Sequence, residues 1–109
     1  MRLPKLAVFD MDGLLFDSER ILMEENRKVM ESYGYTQTFS DYSKTIGMAG
    51  DSYFETLYSI YGPDYPANEI APLSAQNCVE RMMREGVPVK EGIPELLEFF
   101  RDHGIPCCV

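Results

Sequence analysis

The period of the apolar positions changes three times along the chain, and each change marks a boundary. Leu6-Ala7-Val8-Phe9 is a continuous apolar run that stops at Asp10. So short a run, bounded by polar residues, predicts a strand buried on both faces, as in a parallel sheet. Asp12-Gly13 supplies turn chemistry, and Leu14-Leu15-Phe16 leads to a second acidic stop at Asp17.

From Ser18 the period becomes helical. Ser18 is the expected N-cap and Glu19 suits the positive end of the helix dipole, while Leu22, Val29 and Tyr33 share a face that ends at Gly34. A shorter helix is expected near Asp41 to Ile46, closed by Gly47. Asp51 is the expected cap of the next, in which Phe54, Leu57, Tyr58 and Tyr61 follow the i, i+3, i+4, i+7 spacing of a core-packing stripe. Another helix carrying Val79, Met82 and Met83 runs to Gly86, with its start obscured by Pro72. Met82 and Met83 read as core residues. Residues 18–86 are therefore an all-helical block of about four helices.

After Pro88 the pattern turns again. Gly92 caps a helix with Pro94 in its first turn, Ile93, Leu96, Leu97 and Phe100 form its apolar face, and Gly104 follows its end. His103, the single histidine, sits where it interacts with the helix dipole. Ile105 to Val109 begins a second apolar run of strand type. Strand, helical insertion, helix, strand is the outline of a βαβ unit whose crossover carries an inserted block.

Composition changes this picture little, but charge changes it more. The 109 residues are 45% hydrophobic and 26% charged, which excludes disordered and fibrous classes. Ten Lys and Arg against eighteen Asp and Glu leave a net charge of −8, which repels phosphate backbones and anionic membranes, so neither nucleic acid nor membrane is an expected partner. Twelve acidic and six basic side chains fall in residues 17–86, where the acidic runs read as solvated helix faces. Cys78, Cys107 and Cys108 have no zinc spacing and read as small buried apolar residues; an odd count with no leader-like segment points to the cytoplasm.

The chemically loaded segment is Val8-Phe9-Asp10-Met11-Asp12-Gly13. Two carboxylates two residues apart lie where a strand reaches its C-terminal edge, the side on which open α/β sheets bind ligands. Together they suit a shared Mg²⁺, or a division of labour between a carboxylate nucleophile and a general acid/base. Asp-Gly between apolar residues is equally a hairpin signal, and paired aspartates also serve as turn residues and caps. An EF-hand loop does not fit, because the glycine comes too early and no glutamate follows at the required spacing.

The stretch Val8-Phe9-Asp10-Met11-Asp12-Gly13-Leu14-Leu15-Phe16-Asp17-Ser18-Glu19 resembles motif I of the haloacid dehalogenase superfamily of phosphohydrolases. It is most similar to the branch with β-phosphoglucomutases, phosphoglycolate phosphatases and small sugar-phosphate or nucleotide phosphatases. The resemblance extends over the chain, through Gly92-Ile93-Pro94-Glu95-Leu96-Leu97 and His103-Gly104-Ile105-Pro106. It implies an α/β fold with a Rossmann-like parallel-sheet core, of which two strands are present. Residues 1–16 would hold the first strand, catalytic loop and flap, residues 17–86 an inserted helical cap, and residues 87–109 the core helix and second strand. It implies Asp10 as the nucleophile that becomes an aspartyl-phosphate and also binds Mg²⁺. Asp12 is then the general acid/base, with its backbone carbonyl on the metal. Leu14 and Phe16 belong to the flap, Asp17 and Ser18 to the hinge. Glu19 either faces the substrate or is a first-turn charge, and Gly47-Met48-Ala49-Gly50 is the loop expected to reach over the cleft.

Those implications give a Mg²⁺-dependent phosphatase acting on a small phosphorylated metabolite. Mutases of the branch usually carry an arginine in the cap to hold a second phosphate, and between Lys28 and Arg81 the only cation here is Lys44. Hydrolysis is therefore expected over the alternative, a β-phosphoglucomutase-type reaction. The family's later groups, a Ser/Thr, a Lys and further acidic residues, follow the second strand, so the chain reads as a piece of a longer enzyme and is expected to be inactive alone. A different class of reading is a non-catalytic interaction module, in which the helical block binds a partner. The oligomeric state is not legible in the sequence.

Overall fold

The computed structural model describes residues 2–109. Strands β1 (Ala7–Val8) and β2 (Cys107–Cys108) pair in parallel, Ala7 opposite Cys107 and Val8 opposite Cys108. Ala7 N–H donates to Pro106 O at 3.0 Å and Phe9 N–H to Cys108 O at 2.8 Å, so the ladder reaches one residue beyond each strand. Between them run α1 (Ser18–Ser32), α2 (Phe39–Ser43), α3 (Asp51–Tyr61), α4 (Ala67–Glu85) and α5 (Ile93–Asp102). This is the α/β order the changing periods predict.

Local chemistry explains the ends of the helices. Thr38 caps α2, its Oγ1 accepting from Asp41 N–H at 3.1 Å. Gly92, in the left-handed region, precedes α5, and Pro94 lies in its first turn. At the other end of α5, Gly104 N–H bonds Arg101 O and Ile105 N–H bonds Phe100 O, a Schellman closure that needs the positive φ of Gly104 and turns buried Ile105 toward β2. His103 Nδ1 donates to Phe99 O at 2.8 Å, which places its ring at the helix end as expected. Pro72 lies inside α4 without ending it, at the loss of one backbone donor.

The core belongs to the helical block. Helix α1 packs along α4, and Val29, Met30, Leu57, Tyr65, Ala67 and Ile70 form one buried cluster, flanked by half-buried Phe54, Tyr58 and Tyr61 of the predicted stripe. Tyr65 is held between rings, edge-on to Tyr35 at 4.9 Å and stacked on Tyr61 at 4.8 Å. By contrast no residue of α5 is buried, although it is strongly amphipathic. The radius of gyration is 17.8 Å, against about 13 Å for a compact domain of this length. The molecule is correspondingly elongated, 55 × 29 × 20 Å along its principal axes.

Several expectations need correction. Val8 is 70% exposed and Leu6 is exposed, so the first strand is not buried on both faces; only Ala7 and Phe9 are half-buried, with Phe9 against Phe100. The N-cap of α1 is Asp17 rather than Ser18, and that of α3 is Gly50 rather than Asp51. The buried face of α1 is Ile21, Glu25, Val29 and Met30, rotated from the expected Leu22–Val29–Tyr33 line, because it is set by contact with α4. Ile70, Ser74 and Cys78 face inward on α4, which leaves Met83 84% exposed. Cys107 and Cys108 are exposed, and only Cys78 is buried.

Met30→Ala should therefore lower the unfolding free energy by about 2–5 kcal/mol, whereas Met83→Ala should stay within about 0.5 kcal/mol of the parent. Urea midpoints followed by helical circular dichroism measure both; equal shifts for the two variants would contradict this core.

Candidate active site

The chain leaves β1 at Phe9 and enters a closed turn. Leu15 and Phe16 N–H both reach Met11 O, at 3.1 and 3.3 Å, while Gly13 N–H donates to Phe16 O at 3.0 Å. Gly13 has φ 74°, which an L side chain adopts only with strain. The Asp-Gly pair is thus turn chemistry as well as candidate chemistry. The turn leaves Asp10 and Asp12 exposed just past the C-terminal end of β1. Ser18 Oγ donates to Asp12 Oδ1 at 3.1 Å, so one carboxylate oxygen of Asp12 is held by the first turn of α1.

The turn is tied to the returning chain. Phe16 bridges to both Asp12 and Val89, Asp17 N–H donates to Pro88 O at 2.8 Å, and Lys90 N–H donates to Leu15 O at 2.9 Å. The two crossings between the sheet and the helical block thus form an antiparallel pair. Ions reinforce it: Asp17 Oδ2 meets Arg20 Nε at 2.7 Å and Oδ1 meets Lys90 Nζ at 3.3 Å. The Arg20 hydrogen bond, with help from Lys90, keeps the Asp17 carboxyl below its ordinary range despite the desolvation that opposes it. Leu14 is exposed at the tip of the turn.

The network continues into the helices. Arg20 also bonds Glu24, Glu24 bonds Arg81 at 2.8 Å, and Arg81 reaches Glu25 and Glu85. Glu25 is only 7% exposed, and hydrogen bonds from Lys28 and Arg81 hold its carboxyl low against desolvation. An acidic side chain expected on a solvated face is therefore a buried, paired one.

Two clefts flank this region. One, of about 280 Å³, is lined by Met11, Asp12, Phe16, Ser18, Met82 and Val87. The other, about 370 Å³, lies among α1, α4 and the turn after α2, with Glu19, Gly47 and Met48 in its wall; Ala49 and Gly50 stand outside that lining. Glu19 is more than a first-turn charge, because Tyr42 Oη donates to its Oε1 at 2.9 Å. Sequence reasoning missed Tyr42 and Lys90, since neither stands in a motif and both are brought in from elsewhere in the chain. Among the described residues no cluster of three or more His, Cys, Asp or Glu gathers as a metal centre. Asp10 and Asp12 nonetheless supply hard oxygen donors, which suit one side of a Mg²⁺ that keeps several waters.

A parallel βαβ frame interrupted by helices, with carboxylates at the strand's C-terminal edge, defines an α/β protein of the Rossmann-like class. The chain belongs to the haloacid dehalogenase-like hydrolase family, whose model matches residues 7–109. It is 28% identical over 103 residues to the Drosophila melanogaster protein named "Probable pseudouridine-5'-phosphatase", covering 94% of this chain and 44% of that protein. It is 29% identical over 109 residues to the Arabidopsis thaliana "(DL)-glycerol-3-phosphatase 1, mitochondrial", covering 94% of this chain and 35% of that one. A hydrolase from Streptococcus pneumoniae TIGR4 superposes with a TM-score of 0.66 at 16% identity, covering 94% of this chain and 51% of that structure. CbbY from Rhodobacter sphaeroides, solved in complex with phosphate, superposes at 0.61 and 16% identity, covering 96% and 49%. The chain thus spans less than half the length of these curated relatives.

The Asp17 pairing generates a prediction. Asp17→Asn or Lys90→Met should speed hydrogen exchange at the Asp17 and Lys90 amides roughly two- to fivefold, as expected for exposed ion pairs. Because the folded-state pKa of Asp17 is depressed, its contribution is present above the ordinary value of 3.8 and is lost as the pH falls below it. Unchanged protection in both variants would show that the ion pairs do not hold the crossing.

Proposed function

We propose that this chain carries the nucleophile and general acid/base of a Mg²⁺-dependent phosphatase for a small phosphorylated metabolite. The supporting observation is the placement of Asp10 and Asp12 at the end of β1, with Ser18 Oγ on Asp12 Oδ1, in a chain of a hydrolase family with relatives named as phosphatases. On this reading Asp10 attacks phosphorus, the bond to the leaving oxygen breaks, and Asp12 gives that oxygen its proton. Ser18 occupies Oδ1, so Oδ2 is the oxygen left to carry the proton. Asp12 then takes a proton from the water that attacks the aspartyl-phosphate, releasing phosphate and restoring Asp10. The Asp10 carboxylate and the Asp12 carbonyl would hold Mg²⁺, which when bound would supply positive charge for the phosphate in a chain of net charge −8.

In this scheme residues 1–16 and 87–109 belong to the core and residues 17–86 to the cap. Leu14 and Phe16 act as flap, Asp17 and Ser18 as hinge, and Glu19 with Gly47-Met48-Ala49-Gly50 faces the substrate. The activity belongs to a chain of the relatives' length, since phosphoryl transfer needs more groups that position and neutralise the phosphate than two carboxylates. Hydrolysis is preferred to isomerisation because the Thr45–Ser52 segment holds no arginine for a second phosphate. Three unpaired cysteines fit a reducing, cytoplasmic setting.

The test is hydrolysis of p-nitrophenyl phosphate by the protein at the length of its relatives. Activity should require Mg²⁺ and fall by on the order of a thousandfold or more in Asp10→Asn. Turnover that survives this substitution would overturn the assignment of Asp10. Efficient conversion of β-glucose 1-phosphate to glucose 6-phosphate with a bisphosphate primer would replace hydrolysis by mutase chemistry.

A further inference from the structure

The outward side of α4 carries a stripe of uncharged, mostly apolar side chains. At 100° per residue, Pro72, Ala75, Val79 and Met83 fall within about 80° of one another, turned away from buried Ile70, Ser74 and Cys78. All four are exposed. Val79 is 50% exposed and Met83 84%, the highest value of any large apolar side chain among the described residues. The five charged residues of α4, Glu69, Glu80, Arg81, Arg84 and Glu85, all lie outside the stripe. The outward face of a surface helix is ordinarily the charged one, so a contiguous apolar stripe there marks a surface that meets another.

The stripe is complementary to itself when two copies of α4 run antiparallel. Its slender end, Pro72 and Ala75, then lies opposite the bulky Met83 of the other copy, with Val79 near the two-fold axis. Parallel copies would set Met83 on Met83 and leave a gap at Ala75. Charge favours the same order. Glu69 and Arg84 stand on one flank of the stripe, near opposite ends of α4, and both are exposed. Arg84 engages only its neighbour Glu85, at 3.5 Å, among the described residues. Antiparallel copies bring Glu69 of one toward Arg84 of the other at both ends, whereas parallel copies oppose like charges. The midpoint of Glu69 and Arg84 lies about one residue, or about 1.5 Å of rise, from that of Pro72 and Met83, so one two-fold axis serves both. A strip as long as α4 and about one helix diameter wide, counted on both copies, buries on the order of 1,000 Å², the low end for a specific interface. The pair is therefore reversible, and a net charge of −8 on each copy opposes it.

We propose that the outward face of α4 docks a second copy of this chain, antiparallel, about a two-fold axis near Val79. Met83 of each copy packs over Pro72 and Ala75 of the other, and the Glu69–Arg84 pairs fix the order at the rim. The interface uses neither Asp10 nor Asp12 and does not depend on the phosphatase reading.

The experiment is sedimentation equilibrium of the 109-residue chain over a range of concentrations at physiological salt. The average mass should rise from 12.5 kDa toward twice that value between micromolar and millimolar protein. Val79→Lys or Met83→Lys should weaken the pair about tenfold or more, because a charge replaces an apolar contact at the centre of the interface. Both side chains are exposed in the single chain, so helical circular dichroism should confirm an unchanged fold. Glu69→Lys and Arg84→Glu should each weaken the pair about threefold, and the two together should restore it to within about twofold of the parent. Val8→Lys, on the exposed side of β1, should leave the association unchanged. A monomer at every concentration, or a dimer that survives Met83→Lys, would overturn the proposal. So would a dimer lost in Val8→Lys, which marks association through the strands, or growth beyond two copies, which a two-fold interface forbids. Charge reversal at both Glu69 and Arg84 that fails to restore the pair would overturn the antiparallel order.

Discussion

Two backbone hydrogen bonds, Asp17 N–H to Pro88 O and Lys90 N–H to Leu15 O, join the segment leaving the sheet to the segment returning to it. The helical block is an insertion between β1 and α5, and a block attached by two separate strands of chain would swing about both. Pairing the two strands converts them into a single short ribbon. That ribbon fixes where α1 begins, and the start of α1 decides where Ser18 and Glu19 stand relative to Asp12. The carboxylate geometry after β1 depends as much on Pro88 and Lys90 as on the turn that contains it.

Charge follows the same route. From Lys90 the ion pairs pass through Asp17, Arg20 and Glu24 to Arg81, which also holds Glu25 and Glu85. Exposed pairs of this kind contribute little singly, but the buried Glu25 would be costly without Lys28 and Arg81 beside it. The block therefore holds part of its acidic excess in ion pairs, while Asp10 and Asp12 stay exposed.

How much of this was legible varies by element. Asp10, Asp12 and Gly13 stand in a contiguous motif whose turn is closed by its own backbone, so the local sequence already contained the geometry. The stripe Phe54, Leu57, Tyr58 and Tyr61 was equally readable, because helical spacing and aromatic bulk leave few other uses for it. The buried face of α1 was misplaced because Leu22 and Ile21 are both apolar, and only contact with α4 chooses between them. Met83 and Val79 looked like core, but Ile70, Ser74 and Cys78 occupy the inward side of α4 and leave no room for them. Glu25 looked like surface because its partner Arg81 is far away along the chain.

By itself, then, the sequence determined the family, the order of strands and helices, and the pair of aspartates. All are encoded by neighbours within a few residues: apolar runs, turn glycines and a contiguous motif. The tertiary structure alone decided which helix faces turn inward and that Lys90 pairs with Asp17 where the chain enters α1. It also decided that Tyr42 and Glu19 meet in the wall of a cleft. Those depend on side chains tens of residues apart, whose approach is set by the packing of α1 on α4 and by the paired crossing.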